Sequence, residues 1–336
     1  MPLNQNPRTL LFVPGNQPAM LTKAAGFEVA WLIPDLEDSV PAAEKIEARA
    51  IVAEHIPSLS AAGKHLVPRV NSLASGLAEQ DIAAVVSEQI TGISIGKIGT
   101  PEEISVIDDI LTATERKVGI TVGHTSIVPL LETARAVINA YQICTASKRV
   151  RWAAFGAEDY SADMGISRAV DSAGGGPDPG SAHTAEPGLA HARSAVAVAA
   201  RAAGVHALDT PYTRFRDPAG LRTEAKLAKS IGYKGKLAIH PAQVGVIESV
   251  FAPTEAEIEH AKKVLEIADG AENDGRGAVA LDGEMIDMPV ILRAKNVLRE
   301  AGLSCAAAID SLSIRERDPS KRLFMINPFS PGRRSG

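Results

Sequence analysis

Residues 127–159 read IVPLLETARAVINAYQICTASKRVRWAAFGAED, and the order of residue types in that stretch decides the fold. An apolar run at 127–132 ends in Glu132, a segment of helical character follows, and a second apolar run at 152–156 leads into Glu158 and Asp159. Short β-branched or aromatic runs alternating with longer Ala/Leu/Glu/Lys stretches mark βα units on a parallel sheet. The unit recurs in both directions along the chain, with further strands predicted at 9–13, 29–35, 66–71, 93–98, 206–210 and 236–240. Eight strands, each followed by a helical segment, predict a (β/α)8 TIM barrel over residues 8–252. No GxGxxG follows the first strand, so a dinucleotide-binding fold is poorly supported.

Beyond the predicted barrel, a helix at 253–268, the stretch GAVALDGEMIDMP and a further amphipathic helix make a C-terminal lid extension over 253–303, expected to cover the barrel mouth or a neighbouring subunit. Residues 304–336 mix charge, Pro and Gly without period and are expected to be a flexible tail. The Gly/Pro-rich segment DSAGGGPDPGSAHTAEPG after the sixth strand, with Gly174–Gly176 at its heart, is expected to be a mobile loop at the catalytic face.

Composition narrows the function classes. The 336 residues are 45% hydrophobic and 22% charged, enough for one large core plus an appendage. A net charge of −5 and an aromatic content of 4% argue against nucleic-acid partners, which ask for a basic surface or base-stacking rings. No apolar run approaches the ~20 residues of a membrane span, and MPLNQNPRTLLFVPG lacks a signal peptide's basic start and cleavage site, so a cytoplasmic enzyme without membrane contact is expected. Cys144 and Cys305 stand far apart, offer neither a disulfide framework nor a CxxC metal site, and suit a reducing compartment.

In a TIM barrel the chemistry sits at the C-terminal ends of the strands. Polar residues falling there include Asp35, Glu37 and Asp38 at the end of strand two, Arg69 on strand three, Lys97 on strand four, Glu132 at the end of strand five, Asp159 beyond strand six and His240 at the end of strand eight. Glu132 and Asp159 are candidate Mg²⁺ ligands, because a hard cation takes one or two carboxylates and completes its octahedron with water and substrate. The alternatives are that Glu132 caps the next helix and Asp159 faces solvent. Zinc is disfavoured without a His/Cys cluster. Arg69 could bind a carboxylate through its fork, stabilise an oxyanion, or make a surface ion pair. The acids at 35, 37 and 38 could hold metal-bound water, orient Arg69, or start a helix. Lys97 reads as an interior ion-pair partner or substrate cation, or as a Schiff-base lysine in a metal-free aldolase; His240 reads as a general base or a structural cap.

Taken together, RTLLFVPGN, PDLEDSV, PRVNSLASGLAEQD, LLETA, FGAEDY, ALDTPYTRFRDPAGL, GKLAIHPAQV and LDGEMIDMP resemble the CitE-like (citrate lyase beta-subunit-like) branch of the HpcH/HpaI aldolase superfamily. The match runs from about Arg8 to Leu303 and is most marked toward its citramalyl-CoA and malyl-CoA lyases. The resemblance implies a carbon–carbon lyase that binds Mg²⁺ at Glu132 and Asp159, with Mn²⁺ as a substitute, and contacts substrate through Arg69. It also implies acid/base catalysis by Asp287 of MIDMP, and contacts to the CoA thioester from Phe12, Lys23, Leu237 and Ala238. The expected partners are an acyl-CoA thioester and a small keto acid, in a homo-oligomer of trimer or hexamer type. Two other readings remain: a subunit dependent on an acyl-carrier partner, and a metal-dependent aldolase on free hydroxy-keto acids. Carrier-dependent beta subunits are expected to be shorter and to lack the lid. Phe12, Ala19, Gly96, Gly99 and the long loop at 171–186 depart from the pattern of lyases that act on free CoA thioesters.

Overall fold

The first strand pairs in parallel with both the second and the last, so the sheet closes on itself. A computed structural model describes residues 7–166, 187–273, 279–281 and 283–303, and divides the chain into two compact units, Met1–Phe251 and Ala252–Gly336. The loop expected to be mobile at 171–186, with Gly174–Gly176, and the tail 304–336 lie outside the described residues.

The first unit is a closed eight-strand parallel barrel with helices between the strands, the (β/α)8 architecture. Its strands are β1 (Thr9–Pro14), β2 (Trp31–Asp35), β3 (in two pieces, His65–Leu66 and Arg69–Val70), β4 (Gly92–Ile95), β5 (Ser126–Leu131), β6 (Trp152–Phe155), β7 (His206–Asp209) and β8 (Gly235–Ala238). The expected strand at 66–71 is interrupted at Val67 and Pro68, because Pro68 has no N–H for the ladder. The wall nevertheless stays continuous, since Val67 N–H donates to the Leu32 carbonyl at 3.0 Å and Ser94 N–H to the Pro68 carbonyl at 2.9 Å.

Side chains of alternate residues point inward, as the period of a strand requires. Leu10, Trp31, Val128, Trp152, Leu208 and Leu237 belong to one buried cluster inside the barrel, while Leu11, Leu32, Ile93, Leu131 and Phe155 join the larger layer beneath the helices. Trp31 and Trp152, the first residues of β2 and β6, meet edge to face at 5.4 Å. At about 25 cal/mol per Å² of apolar surface, two such indoles contribute several kcal/mol and plug the N-terminal end.

The helix after β4, Pro101–Val118, shows how the loops above the barrel are tied down. Thr100 and Glu103 form a capping box, Pro occupies the first turn, and Gly119 closes the helix at φ 79. Ile104, Ile107 and Leu111 supply its buried face. Glu103 Oε2 also accepts from Gly99 N–H at 2.7 Å, so the cap fixes the segment that leads out of β4.

In the second unit, helices Glu255–Asn273 and Met288–Glu300 bury Val264, Leu265, Leu281, Ile286 and Leu298. Between them Val279–Leu281 and Glu284–Ile286 pair antiparallel, a hairpin in what reads as a merely Gly-rich stretch. The signal was present: Asp-Gly at 282–283 between short apolar runs is a two-residue hairpin turn sequence, and Gly283 takes φ 87. Among the described residues no helix is long and apolar enough to cross a membrane.

Candidate active site

The Asp35 carboxylate organises the mouth. It ends β2, is 1% exposed, and accepts from the backbone N–H groups of Glu37 at 2.9 Å and Ser39 at 3.0 Å. It also takes Arg69 in a two-pronged grip, Nε to Oδ1 at 2.6 Å and NH2 to Oδ2 at 2.7 Å. Burial alone would raise the Asp35 carboxyl, but the Arg69 hydrogen bonds and charge outweigh it and hold it below the usual range. Arg69 NH1 reaches Asp38 at 2.9 Å and Glu37 at 3.4 Å, and the guanidinium lies 4.8 Å above the Phe12 ring. The bidentate face of Arg69 is therefore occupied by Asp35, and it is the NH1 edge that faces the remaining acids. Neither Asp38 nor Ser39 starts a helix; the next element begins at Ala42 after Pro41.

Glu132 follows β5 and is 2% exposed. It is not the cap of the next helix, a role taken by Thr133, whose hydroxyl accepts from Ala136 N–H at 3.1 Å. Its space is made by two glycines. A Cβ on Gly96 would lie 2.6 Å from Glu132 Oε1, and one on Gly156 would lie 2.5 Å from Oε2 and 2.6 Å from the Glu132 Cβ. Asp159 stands half-buried in the first turn of the helix Ala157–Met164, rather than out in solvent. Burial, then the negative charges of Asp159 and Glu37, push the Glu132 carboxyl up to about 8, against partial relief from the Lys97 N–H and Arg69.

Lys97 is the only non-glycine residue with positive φ among those described, at 59°. A left-handed L-residue costs roughly 1–2 kcal/mol and persists only where its surroundings impose it. Here the backbone N–H donates to Glu132 Oε1 at 2.7 Å, while Nζ reaches Glu37 Oε1 at 3.3 Å and Asp38 Oδ1 at 3.2 Å. Burial would lower its ammonium, but Glu37 and Asp38 prevail and hold it above the ordinary lysine value. That is opposite to what a Schiff-base lysine needs, so the metal-free aldolase reading of Lys97 loses its basis.

His240 uses Nδ1 to accept from Ala242 N–H at 3.1 Å and stacks on Phe215 at 4.9 Å, which makes it a cap rather than a base. Cys144 is buried and its thiol is pushed up to about 12 by that burial, so it is no nucleophile; Cys305 lies outside the described residues. Of the residues expected at a thioester, Phe12 is half-buried beneath Arg69. Lys23 is exposed on the helix Pro18–Ala24, Leu237 is packed inside the barrel, and Ala238 turns its methyl to the outer layer, leaving its backbone for any ligand contact. Asp287 belongs to the second unit, where its Oδ1 caps the last helix by accepting from Val290 N–H at 3.2 Å.

A divalent cation suits this donor set. Glu132 is a buried carboxylate opposed by two other acids, and Glu37 Oε2 is buried without a hydrogen-bond partner. Among the described residues no group of three or more His, Cys, Asp or Glu is arranged to hold a metal alone. Two carboxylates with water and substrate completing the shell is the manner of Mg²⁺, not of zinc.

Comparison with known proteins decides the lineage: the model of the HpcH/HpaI aldolase/citrate lyase family matches residues 8–241. The chain belongs to that family. Among HpcH/HpaI relatives, the citrate lyase subunit beta of Leuconostoc mesenteroides subsp. cremoris is 36% identical over 88% of this chain and 93% of its own. The L-malyl-CoA/beta-methylmalyl-CoA lyase of Cereibacter sphaeroides is 31% identical over 89% and 96%. The crystal structure of CitE from Mycobacterium tuberculosis in complex with magnesium, acetoacetate and coenzyme A superposes at TM-score 0.69, with 28% identity, covering 89% of this chain and all of that one. These relatives are lyases, and this HpcH/HpaI chain is an enzyme of that class. The match to the Leuconostoc subunit spans 294 residues, more than the first unit holds, so it extends into the second. A missing C-terminal segment therefore does not set that beta subunit apart from this chain.

Gly96 and Gly156 are the site residues that sequence reading passed over as functional. Their signal is a glycine directly after β4 and after β6, where a barrel strand would otherwise present a side chain to the mouth. Gly156 has φ −107, so Gly156→Ala is a purely steric change that displaces Glu132. A drop in Mg²⁺ affinity of roughly 10- to 100-fold with an unchanged fold is expected, as when a ligand's orienting neighbours are altered. Calorimetric Mg²⁺ titration checks it, and unaltered affinity would mean Glu132 is not a ligand.

Proposed function

We propose that the chain is a Mg²⁺-dependent lyase that reversibly cleaves a short β-hydroxyacyl-CoA, such as citramalyl-CoA or malyl-CoA, to acetyl-CoA and pyruvate or glyoxylate. The observation that carries this reading is Glu132, a carboxylate buried against Glu37 and Asp159 with its carboxyl raised to about 8, a charge arrangement that a divalent ion relieves. Glu132 and Asp159 would hold Mg²⁺, for which Mn²⁺ can substitute, and the ion when bound supplies Lewis acidity toward the keto-acid carbonyl. Arg69, held rigid by Asp35 and backed by Phe12, offers its NH1 edge to negative charge that develops on the substrate. In cleavage the substrate hydroxyl gives its proton to water as its C–O bond becomes a carbonyl, the C–C electron pair moves into the thioester enolate, and Asp287 delivers a proton to the enolate carbon; in condensation Asp287 takes the acetyl proton and the new alkoxide takes one from water. The protein is read as a cytoplasmic homo-oligomer, a trimer or hexamer, whose partners are the acyl-CoA and the keto acid.

Greater identity to a citrate lyase beta subunit, 36% against 31% for the malyl-CoA lyase, favours a second reading in which the acyl group arrives on a carrier protein. Incubation with Mg²⁺ and citramalyl-CoA, malyl-CoA, methylmalyl-CoA or free citrate separates the two. Keto acid from a free CoA thioester is expected, and silence on every CoA ester would leave the carrier-dependent reading. Asp287→Asn keeps an oxygen for the Val290 cap and removes the acid, so turnover is expected to fall by roughly 10²–10⁴-fold with little change in melting. Full activity in that variant would confine Asp287 to capping.

A further inference from the structure

Five carboxylates, those of Asp35, Glu37, Asp38, Glu132 and Asp159, stand with three cations: Arg69, Lys97, and Lys45, whose Nζ donates to the Leu36 and Glu37 carbonyls. Arg69 grips Asp35 with its fork and extends NH1 to Asp38 at 2.9 Å and Glu37 at 3.4 Å, and Lys97 is the second counter-charge on that pair, at 3.2 and 3.3 Å. Glu37 is 4% exposed and its Oε2 has no hydrogen-bond partner, though Arg69 NH1 lies 3.4 Å away. That oxygen and Glu132 Oε1 flank one small gap: the point a Cβ on Gly96 would occupy is 2.9 Å from the first and 2.6 Å from the second. Carboxylates facing each other across such a gap are the setting in which enzymes bridge two divalent ions roughly 3.5–4 Å apart.

We propose that the Lys97 ammonium is a built-in monovalent cation standing where a second metal would otherwise bind, so that the mouth takes one divalent ion rather than two. The inference rests on the reading that Glu132 and Asp159 hold that one ion. The left-handed backbone makes the arrangement feasible, because it sets the Lys97 N–H on Glu132 while the side chain turns to Glu37 and Asp38. A single residue thus fixes the metal-side carboxylate and, with Arg69, offsets the charge of the other pair.

The experiment counts Mn²⁺ ions on the full chain by calorimetry and electron paramagnetic resonance. Wild type and Lys97→Arg are expected to bind one ion per chain and Lys97→Met two, with spin coupling between them. Lys97→Met combined with Glu37→Gln is expected to return to one. Lys97→Gly, which accepts positive φ without strain, serves as the uncharged variant if Lys97→Met does not fold. One ion or none on the uncharged, folded variant overturns the proposal, as do two ions on wild type or on the double variant. No ion on wild type would instead overturn the metal reading of Glu132 and Asp159.

Discussion

Glu132→Gln is expected to abolish Mg²⁺-dependent turnover, by roughly 10³-fold or more, while making the metal-free protein more stable at alkaline pH. The first effect follows from the loss of a hard anionic ligand, whose ion supplies several kcal/mol of transition-state stabilisation. The second follows from linkage. The folded metal-free protein favours the neutral carboxyl, raised to about 8 from an ordinary 4.5, so the stability associated with that proton is complete below 4.5 and is lost as pH rises through about 8. Glutamine resembles the neutral form at every pH. In EDTA the variant should melt close to wild type at pH 6 and above it at pH 9. Mg²⁺ should raise the wild-type melting temperature more at pH 9 than at pH 6, because binding there displaces no proton. Turnover of Glu132→Gln at the wild-type rate would remove Glu132 from the metal site, and identical pH profiles in EDTA would remove its raised carboxyl.

The second large effect is expected at Arg69. Arg69→Lys keeps a positive charge but loses the fork that grips both Asp35 oxygens and the NH1 reach to Asp38. Turnover should fall by roughly 10²–10³-fold, the usual consequence of losing a positioned donor. Stability should fall as well, by about 3 kcal/mol, since Asp35 is buried and would lose charge-assisted hydrogen bonds. The sign with pH is opposite to that of Glu132. Asp35 is held below its ordinary 3.8, so the stability it confers is present above that value and is lost as pH falls through the depressed one. The gap between wild type and variant in urea unfolding should therefore be wide at pH 7 and narrow in strong acid. Near-normal turnover with the predicted stability loss would make Arg69 a structural residue only.

The sequence by itself determined the barrel and the end of it that matters. Strand and helix periodicities are properties of neighbouring residues, so apolar runs such as 127–132 and 152–156 declare themselves locally, and the charged residues that end them mark the mouth. Chemistry alone made Glu132 and Asp159 candidates for a hard cation. What only the tertiary structure decided is which group answers which. Arg69 meets Asp35 from 34 positions away, Lys97 adopts a left-handed backbone to serve Glu132, and Gly96 and Gly156 vacate the space that carboxylate fills. The choice of Thr133 over Glu132 as a helix cap was equally undecidable, because both types stood at the helix start and the selection depends on which side chain points inward. The physical reason is closure: the register of eight parallel strands fixes which residues share the mouth, and a carboxylate's partner, its burial and its proton affinity follow from that register rather than from its neighbours in sequence.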